Sequence, residues 1–291
     1  MSFPESCFFK IYDVQILPIL LYGSEIWGHQ PFIVLEKAHL FACKRILNVS
    51  LNTPNKMVYG DLGRYPLHVT SKVRCLKYWL RLVSMSDDRL PRKTYNMLLH
   101  VQENGVQNWA FSIKELLCRN GFGLAWLQQG VGCVKSFLHE FSQRLKDCYI
   151  QEWHASISSS ERTELYSSFK SYFQPERYID VCQLRCFREA YIKFRFGVSP
   201  IAMHKFRYRK NVTPKDLVCA MCKLEIEDEA HVLFVCKAYK ELRQNMPLLR
   251  DVQRRCEDPV EGIFKDDSED TIRQLHVSYF LYKVFCLMKA Q

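Results

Sequence analysis

Cys219 and Cys222, then eight residues to His231, then four to Cys236, form a C-x2-C-x8-H-x4-C set of soft ligands, and this spacing constrains the chain more tightly than any other feature. Two thiolates three positions apart can grip one ion from a tight turn, and a His and a Cys five positions apart complete a tetrahedron from about one turn of helix. Zinc is the expected metal. Four protein ligands close the coordination sphere and leave no position for an activated water, so the expected role is structural. The plainer alternative is three buried cysteines and a chance histidine in a chain with 13 Cys and 9 His. The turn-like Cys pair and the compact spacing favour the metal.

The rest of the chain reads as helix. Its 291 residues, 48% hydrophobic and 13% aromatic, suffice for a sizeable core. Gly and Pro number only 11 each, and few stretches alternate apolar and polar residues in the rhythm of strands. The expected fold class is mainly α, a multi-helix array with a small C-terminal zinc-binding module. The cysteines are spread along a chain that opens without a charged-then-apolar signal segment, which points to a reduced, intracellular setting, nucleus or cytoplasm. The longest apolar runs, Ile16 to Tyr22 and Val277 to Met288, the latter interrupted by Lys283, fall short of the roughly 20 residues that cross a bilayer. No membrane span is expected.

Helical spacing over Cys7 to Leu47, broken by Pro18, Gly23, Gly28 and Pro31, predicts two helices around a turn. Thr53 and Pro54 predict an N-cap with proline at the first helical position. A long helix is expected from Leu67 to about Met85, with Val73, Leu76, Leu80 and Val83 on its apolar face, ended by Ser86, Asp87, Asp88 and Pro91. Two helices separated near Asn104 and Gly105 follow, then a long one from about Gly132 to Ile157. Three regions result: a helical region 1–90, a helical connector 91–175, and a helical region 176–291 that carries the metal motif.

The chain has 41 Lys and Arg against 31 Asp and Glu, and their placement is uneven. Glu36 to Lys93 holds twelve bases and four acids, and Arg185 to Lys210 eight bases and one acid, Glu189. Concentrated positive charge suits phosphate binding, because each neutralised phosphate releases a counterion; solvated helix faces give the same count. In the second region Phe187, Tyr191 and Phe194, at helical spacing, are expected to pack inward. The candidate nucleic-acid contacts are Arg195, Lys205, Arg207, Arg209 and Lys210.

Longer motifs carry a family likeness. Leu17-Pro18-Ile19-Leu20-Leu21-Tyr22-Gly23-Ser24-Glu25-Ile26-Trp27-Gly28 resembles the P-x-L-L-Y-G-x-E-x-W segment that follows the polymerase palm in LINE-type, non-LTR retrotransposon reverse transcriptases. Thr53-Pro54-Asn55, the run Tyr59 to Leu67, Lys77-Tyr78-Trp79-Leu80, Gln151-Glu152-Trp153-His154 and the Cys/His motif occur in the order of that family's C-terminal half. The resemblance implies a thumb-derived region at 1–90 and a reverse-transcriptase zinc-binding domain around 219–236. It implies RNA or DNA as partner, and as a further partner the polymerase palm of a related element, for which Ile16 to Ile26 would present an apolar surface.

Polymerase chemistry needs converging carboxylates on two Mg²⁺ ions, which the family supplies upstream of the matched segment, so no enzymatic activity is expected. Phe264-Lys265-Asp266-Asp267 imitates an F-x-D-D box but lacks apolar strand residues on its far side, and Asp87-Asp88 suits the start of the next helix better. Cys182 and Cys186 read as small core residues, and His154 lacks a nucleophile at recognisable spacing. The rival reading is a zinc-stabilised helical protein–protein interaction module whose basic stretches meet an acidic partner.

Overall fold

A computed structural model describes residues 5–207, 209–265 and 271–290. Its regular elements are all helices, so the fold is mainly α as expected. Among the described residues only two isolated bridges, Leu62 with Pro175 and Val218 with Ile226, pair as β. No helix there is long and apolar enough to cross a membrane. The chain divides into two compact units, one of Met1–Phe9, Ala42–Arg64 and His154–Gln291, the other of Lys10–Phe41 and Tyr65–Trp153.

The second of these units is organised on helix Leu67–Val83, which follows Pro66 directly and buries Cys75, Leu76, Trp79, Leu80 and Leu82. The expected apolar face is shifted toward Trp79, leaving Val73 and Val83 half-buried. Trp79 stacks on Trp126 at 6.1 Å between ring centroids. Its indole N–H donates to Tyr95 Oη at 2.8 Å, and Tyr95 donates to Gln129 Oε1 at 2.6 Å, so the buried indole keeps a hydrogen bond. Asn108 starts helix Trp109–Arg119 by accepting the Phe111 N–H at 3.1 Å. Asp87 accepts from Arg92 at 3.1 Å, and this bond holds its carboxyl below the usual range.

The Tyr22 to Gly28 run packs on the same helix. A Cβ on Gly28 would lie 2.7 Å from Ser71, whose hydroxyl donates to the Gly28 carbonyl at 3.0 Å. Cys75 Sγ donates to the Ser24 carbonyl at 3.2 Å. Instead of a simple two-helix turn, Tyr12–Ile16 is π-helical before Leu17–Leu20. Pro18 has no N–H to offer the Val14 carbonyl, and the wider turn absorbs the missing bond. Ile16, Ile19, Tyr22 and Ile26 are solvent-exposed, giving the apolar surface expected there.

The other unit is built around a charge. Arg195, expected at a phosphate surface, lies at 1% exposure inside the unit, and that placement corrects the expectation. Its Nε donates to Asp61 Oδ2 at 3.3 Å, Nη2 faces Glu176 Oε1 at 2.9 Å, and Nη1 donates to the Phe264 carbonyl at 2.6 Å. Phe169 lies under the guanidinium at 4.4 Å. Tyr166 and Tyr178 donate to Asp61 at 2.8 and 2.6 Å, and burial, then the adjacent carboxylate, holds both phenols well above their usual range. Lys170 pairs with Glu176, so two cations and two carboxylates balance. Gly63, at φ +58°, lets the chain pass where a Cβ would lie 2.4 Å from Pro175. That approach places the Glu176 N–H 2.8 Å from the Asp61 carbonyl.

Two local expectations shift. The expected helix Ile179 to Phe196 divides into Tyr178–Val181 and Arg185–Arg195, because buried Arg188 donates to the Cys182 carbonyl at 2.9 Å and ends the first segment. Cys182 is therefore core, 3.6 Å from Ser278 Oγ, while Cys186 is exposed. Helix Asn55–Leu62 starts with Pro54 at the cap position, and Thr53 Oγ1 is buried without a hydrogen-bond partner. Tyr191 and Phe194 are core, as expected, and Phe187 packs against Tyr279 and Tyr282 of helix Thr271–Lys289.

Replacing Asp61 with Ala strands a buried guanidinium and two phenols, at an expected cost of about 3–5 kcal/mol. Urea unfolding followed by circular dichroism reads that loss directly; a change under about 1 kcal/mol, the worth of a surface pair, would mean the network does not hold the unit.

Candidate metal centre

Val218 and Ile226 pair across a tight hairpin that carries the first two donors. Cys219 N–H donates to the Glu225 carbonyl at 2.8 Å and Lys223 N–H to the Cys219 carbonyl at 2.8 Å. Lys223 closes the turn in the left-handed region at φ +57°. The second pair comes from a π-helical turn, His231–Val235, in which Cys236 N–H donates to the His231 carbonyl at 2.8 Å. A π-turn spans five residues, which matches the His-to-Cys step. Asp228 Oδ1 accepts the His231 N–H at 2.7 Å and anchors its start.

These two devices bring Cys219, Cys222, His231 and Cys236 together, all four donor atoms within 4.8 Å of one another, so the cluster can hold a metal ion. Cys219 Sγ lies 3.8 Å from Cys236 Sγ, and Cys222 Sγ 3.4 Å from His231 Nε2. Burial pushes the Cys219 and Cys236 thiols up, against the pull of backbone N–H groups at Met221, Cys222 and Ala238. At Cys222 burial is outweighed by the N–H groups of Leu224 and Glu225, which bring the thiol down to about 7. Buried thiolates need a compensating cation, and a divalent ion among them is the natural one.

Carboxylates surround the donors. Glu225 Oε2 lies 3.1 Å from His231 Nδ1, which orients the ring and leaves Nε2 toward the sulfurs. Glu227 accepts from Cys219 Sγ at 3.4 Å and from the Ala202 N–H at 2.7 Å. Glu229 accepts from His204 Nε2 at 2.7 Å and lies 3.4 Å from Arg207 Nη2. Burial pushes His204 down, and as a neutral imidazole it accepts the Ser199 N–H on Nδ1 at 3.2 Å. The sequence signal for these supports was the density of acids, Glu225, Glu227, Asp228 and Glu229, inside the eight-residue spacer.

The basic candidates divide. Lys205, Arg209 and Lys210 are exposed, Arg209 lying 5.0 Å from the Phe206 ring centroid, and Arg207 is half-buried beside Glu229. Arg195 belongs to the core. Asp266 and Asp267 lie outside the described residues. Beside the cluster a groove of about 520 Å³ runs between Leu224, Ile226 and Val235, which are exposed, and Pro214 and Val218.

Removing Glu225 as Glu225→Ala is expected to weaken metal binding about 10–100-fold while leaving one ion per chain at saturation. Cys219→Ser with Cys236→Ser should abolish loading altogether. Competition with a chelator, read by metal analysis, checks both; loading untouched by the double change would remove the cluster as the site.

In comparison with known proteins, no family model matches this chain, and neither does any curated protein or solved structure.

Proposed function

We propose that this chain is a nucleic-acid-binding C-terminal part of a LINE-type non-LTR reverse transcriptase that does not itself polymerise, in which a structural zinc ion braces a basic contact segment. The observation that carries the reading is the Glu229 link. This carboxylate comes from the spacer between Cys222 and His231, and it receives both His204 and Arg207. The metal loop is thereby tied to the segment whose cations would meet phosphate.

Zinc fits the donor set. A tetrahedral zinc with sulfur at about 2.3 Å and nitrogen at about 2.0–2.1 Å has S···S edges of about 3.8 Å and S···N edges of about 3.5 Å. The observed separations of 3.8 and 3.4 Å match these edges. Cys219, Cys222, His231 and Cys236 would hold the ion, with Nε2 of His231 as its nitrogen, and its contribution would be to cross-link hairpin and π-turn. A reduced intracellular setting, nucleus or cytoplasm, goes with this reading, because thiolate ligands need unoxidised cysteines. The exposed Ile16, Ile19, Tyr22 and Ile26 support a partner for the other unit, which the family resemblance names as a polymerase palm.

A second reading has its own observation. Leu224, Ile226 and Val235 are exposed around the groove beside the cluster, as in a zinc-stabilised protein-interaction module.

Binding to single-stranded RNA and DNA, measured against salt, separates the two. Replacing Arg207, Arg209 and Lys210 together by Gln is expected to flatten the log–log slope by about two, at about 0.7 per lost phosphate contact, equally for all sequences. Binding that is unchanged while a protein partner is lost would favour the interaction module. Primer extension on an RNA template with Mg²⁺ should give no product. Product that disappears with Asp266→Asn and Asp267→Asn would overturn the non-enzymatic reading.

A further inference from the structure

Arg207 and Arg209 do not stand alone at the surface. Within the same unit, Ser159, Ser160, Glu161 and Arg162 line one shallow, strongly polar concavity with them. Three guanidiniums and one carboxylate line it, brought together from two segments far apart in sequence, with Glu229 beside Arg207.

Each side of the concavity is held by the fold. The bend after helix Val134–Ser158 is pinned by Thr163, which is buried and whose hydroxyl donates to the Ile157 carbonyl at 2.7 Å and to the Ser160 carbonyl at 2.9 Å. The exposed Arg162 is next to that anchor. Opposite, the Arg207 guanidinium lies against Gly197, where a Cβ would be 2.8 Å from Nη1, and beside Glu229. Arg209 rests against the Phe206 ring. Planar guanidiniums with fixed backbones are suited to the oxygens of a phosphate, and serine hydroxyls add short-range donors.

We infer that this concavity is a phosphate-binding site in which Arg162, with the Ser159 and Ser160 hydroxyls, joins Arg207 and Arg209 on a backbone phosphodiester of single-stranded nucleic acid. The inference rests on the nucleic-acid reading and extends it to a residue that charge clustering in the sequence does not mark: Arg162 lies outside both basic regions. Glu161 on the rim sets a limit on the charge a ligand can bring and favours one phosphodiester over a polyphosphate.

The test is a salt titration of wild type, Arg162→Gln, Arg162→Glu and Arg207→Gln on oligo(dT) and oligo(rU), with circular dichroism and metal content as folding controls. Arg162→Gln is expected to weaken binding about fourfold near about 0.15 M salt and to flatten the slope by about 0.7, the value of one single-strand phosphate contact. Arg162→Glu should weaken it further. If Arg207→Gln binds more weakly while both Arg162 variants match wild type, the site is overturned and the nucleic-acid reading stands. If wild type binds neither oligonucleotide, calorimetry with inorganic phosphate and with a phosphoserine peptide decides. Arg162-dependent binding there keeps a phosphate site and removes the nucleic-acid reading; absence of binding removes both.

Discussion

The buried guanidinium of Arg195 is the constraint on which its unit depends. A charge fully removed from water costs several kcal/mol unless carboxylates meet it, and Asp61 and Glu176 do so from segments far away in the chain. Satisfying them recruits more: Tyr166 and Tyr178 on Asp61, Lys170 on Glu176, the Phe264 carbonyl on Arg195. Helices of four to eleven residues, too short to be stable alone, are fixed by one balanced polar cluster inside an aromatic shell of Phe169, Phe194, Phe196 and Phe264. An apolar core tolerates sliding that such directional contacts forbid.

This explains where the sequence was readable. Helix Leu67–Val83 and the start of Leu90–Glu103 follow from periodicity, Pro66 and Pro91, all local signals, whereas the Asn108 cap of Trp109–Arg119 was seen only in the structure. Arg195 was not readable, because its neighbours Lys193, Lys205 and Arg207 make it look like one member of a basic run. What separates it is register: Tyr191, Ile192 and Phe194 share its buried side of the helix, and tertiary partners, Asp61 134 positions back and Glu176, make that side tolerable for a cation. Asp61 did carry a sign of its own, as the one acid among Met57, Val58, Tyr59 and Leu62. Thr53 and Cys182 show the same limit, since tertiary contacts and not local propensity decided their boundaries.

For the metal cluster the reverse holds. The four donors were legible because coordination geometry restricts spacing tightly, and hairpin and π-turn realise the spacing directly. Their supports were less so. Glu225, Glu227 and Glu229 look alike in sequence, yet one faces His231, one Cys219, and one reaches away to His204 and Arg207. The three lie two positions apart, so strand alternation alone would leave them on one face; their tertiary partners separate them, a detail that composition does not carry.

That outward-reaching carboxylate alters what the surface charge means. Lys205 and Lys210 are exposed side chains that must lose rotamer freedom when they meet a ligand, at about 0.5–1.5 kcal/mol each. Arg207 has given up much of that freedom already, held between Glu229 and Gly197, and Arg209 rests on Phe206. The pairing with Glu229 also lowers the net field of Arg207, so the arrangement trades long-range attraction for placement. A surface selected for attraction alone would leave the arginine unpaired. Bracing it from the loop of the Cys/His cluster fixes where the guanidinium stands, and position is what that pairing secures.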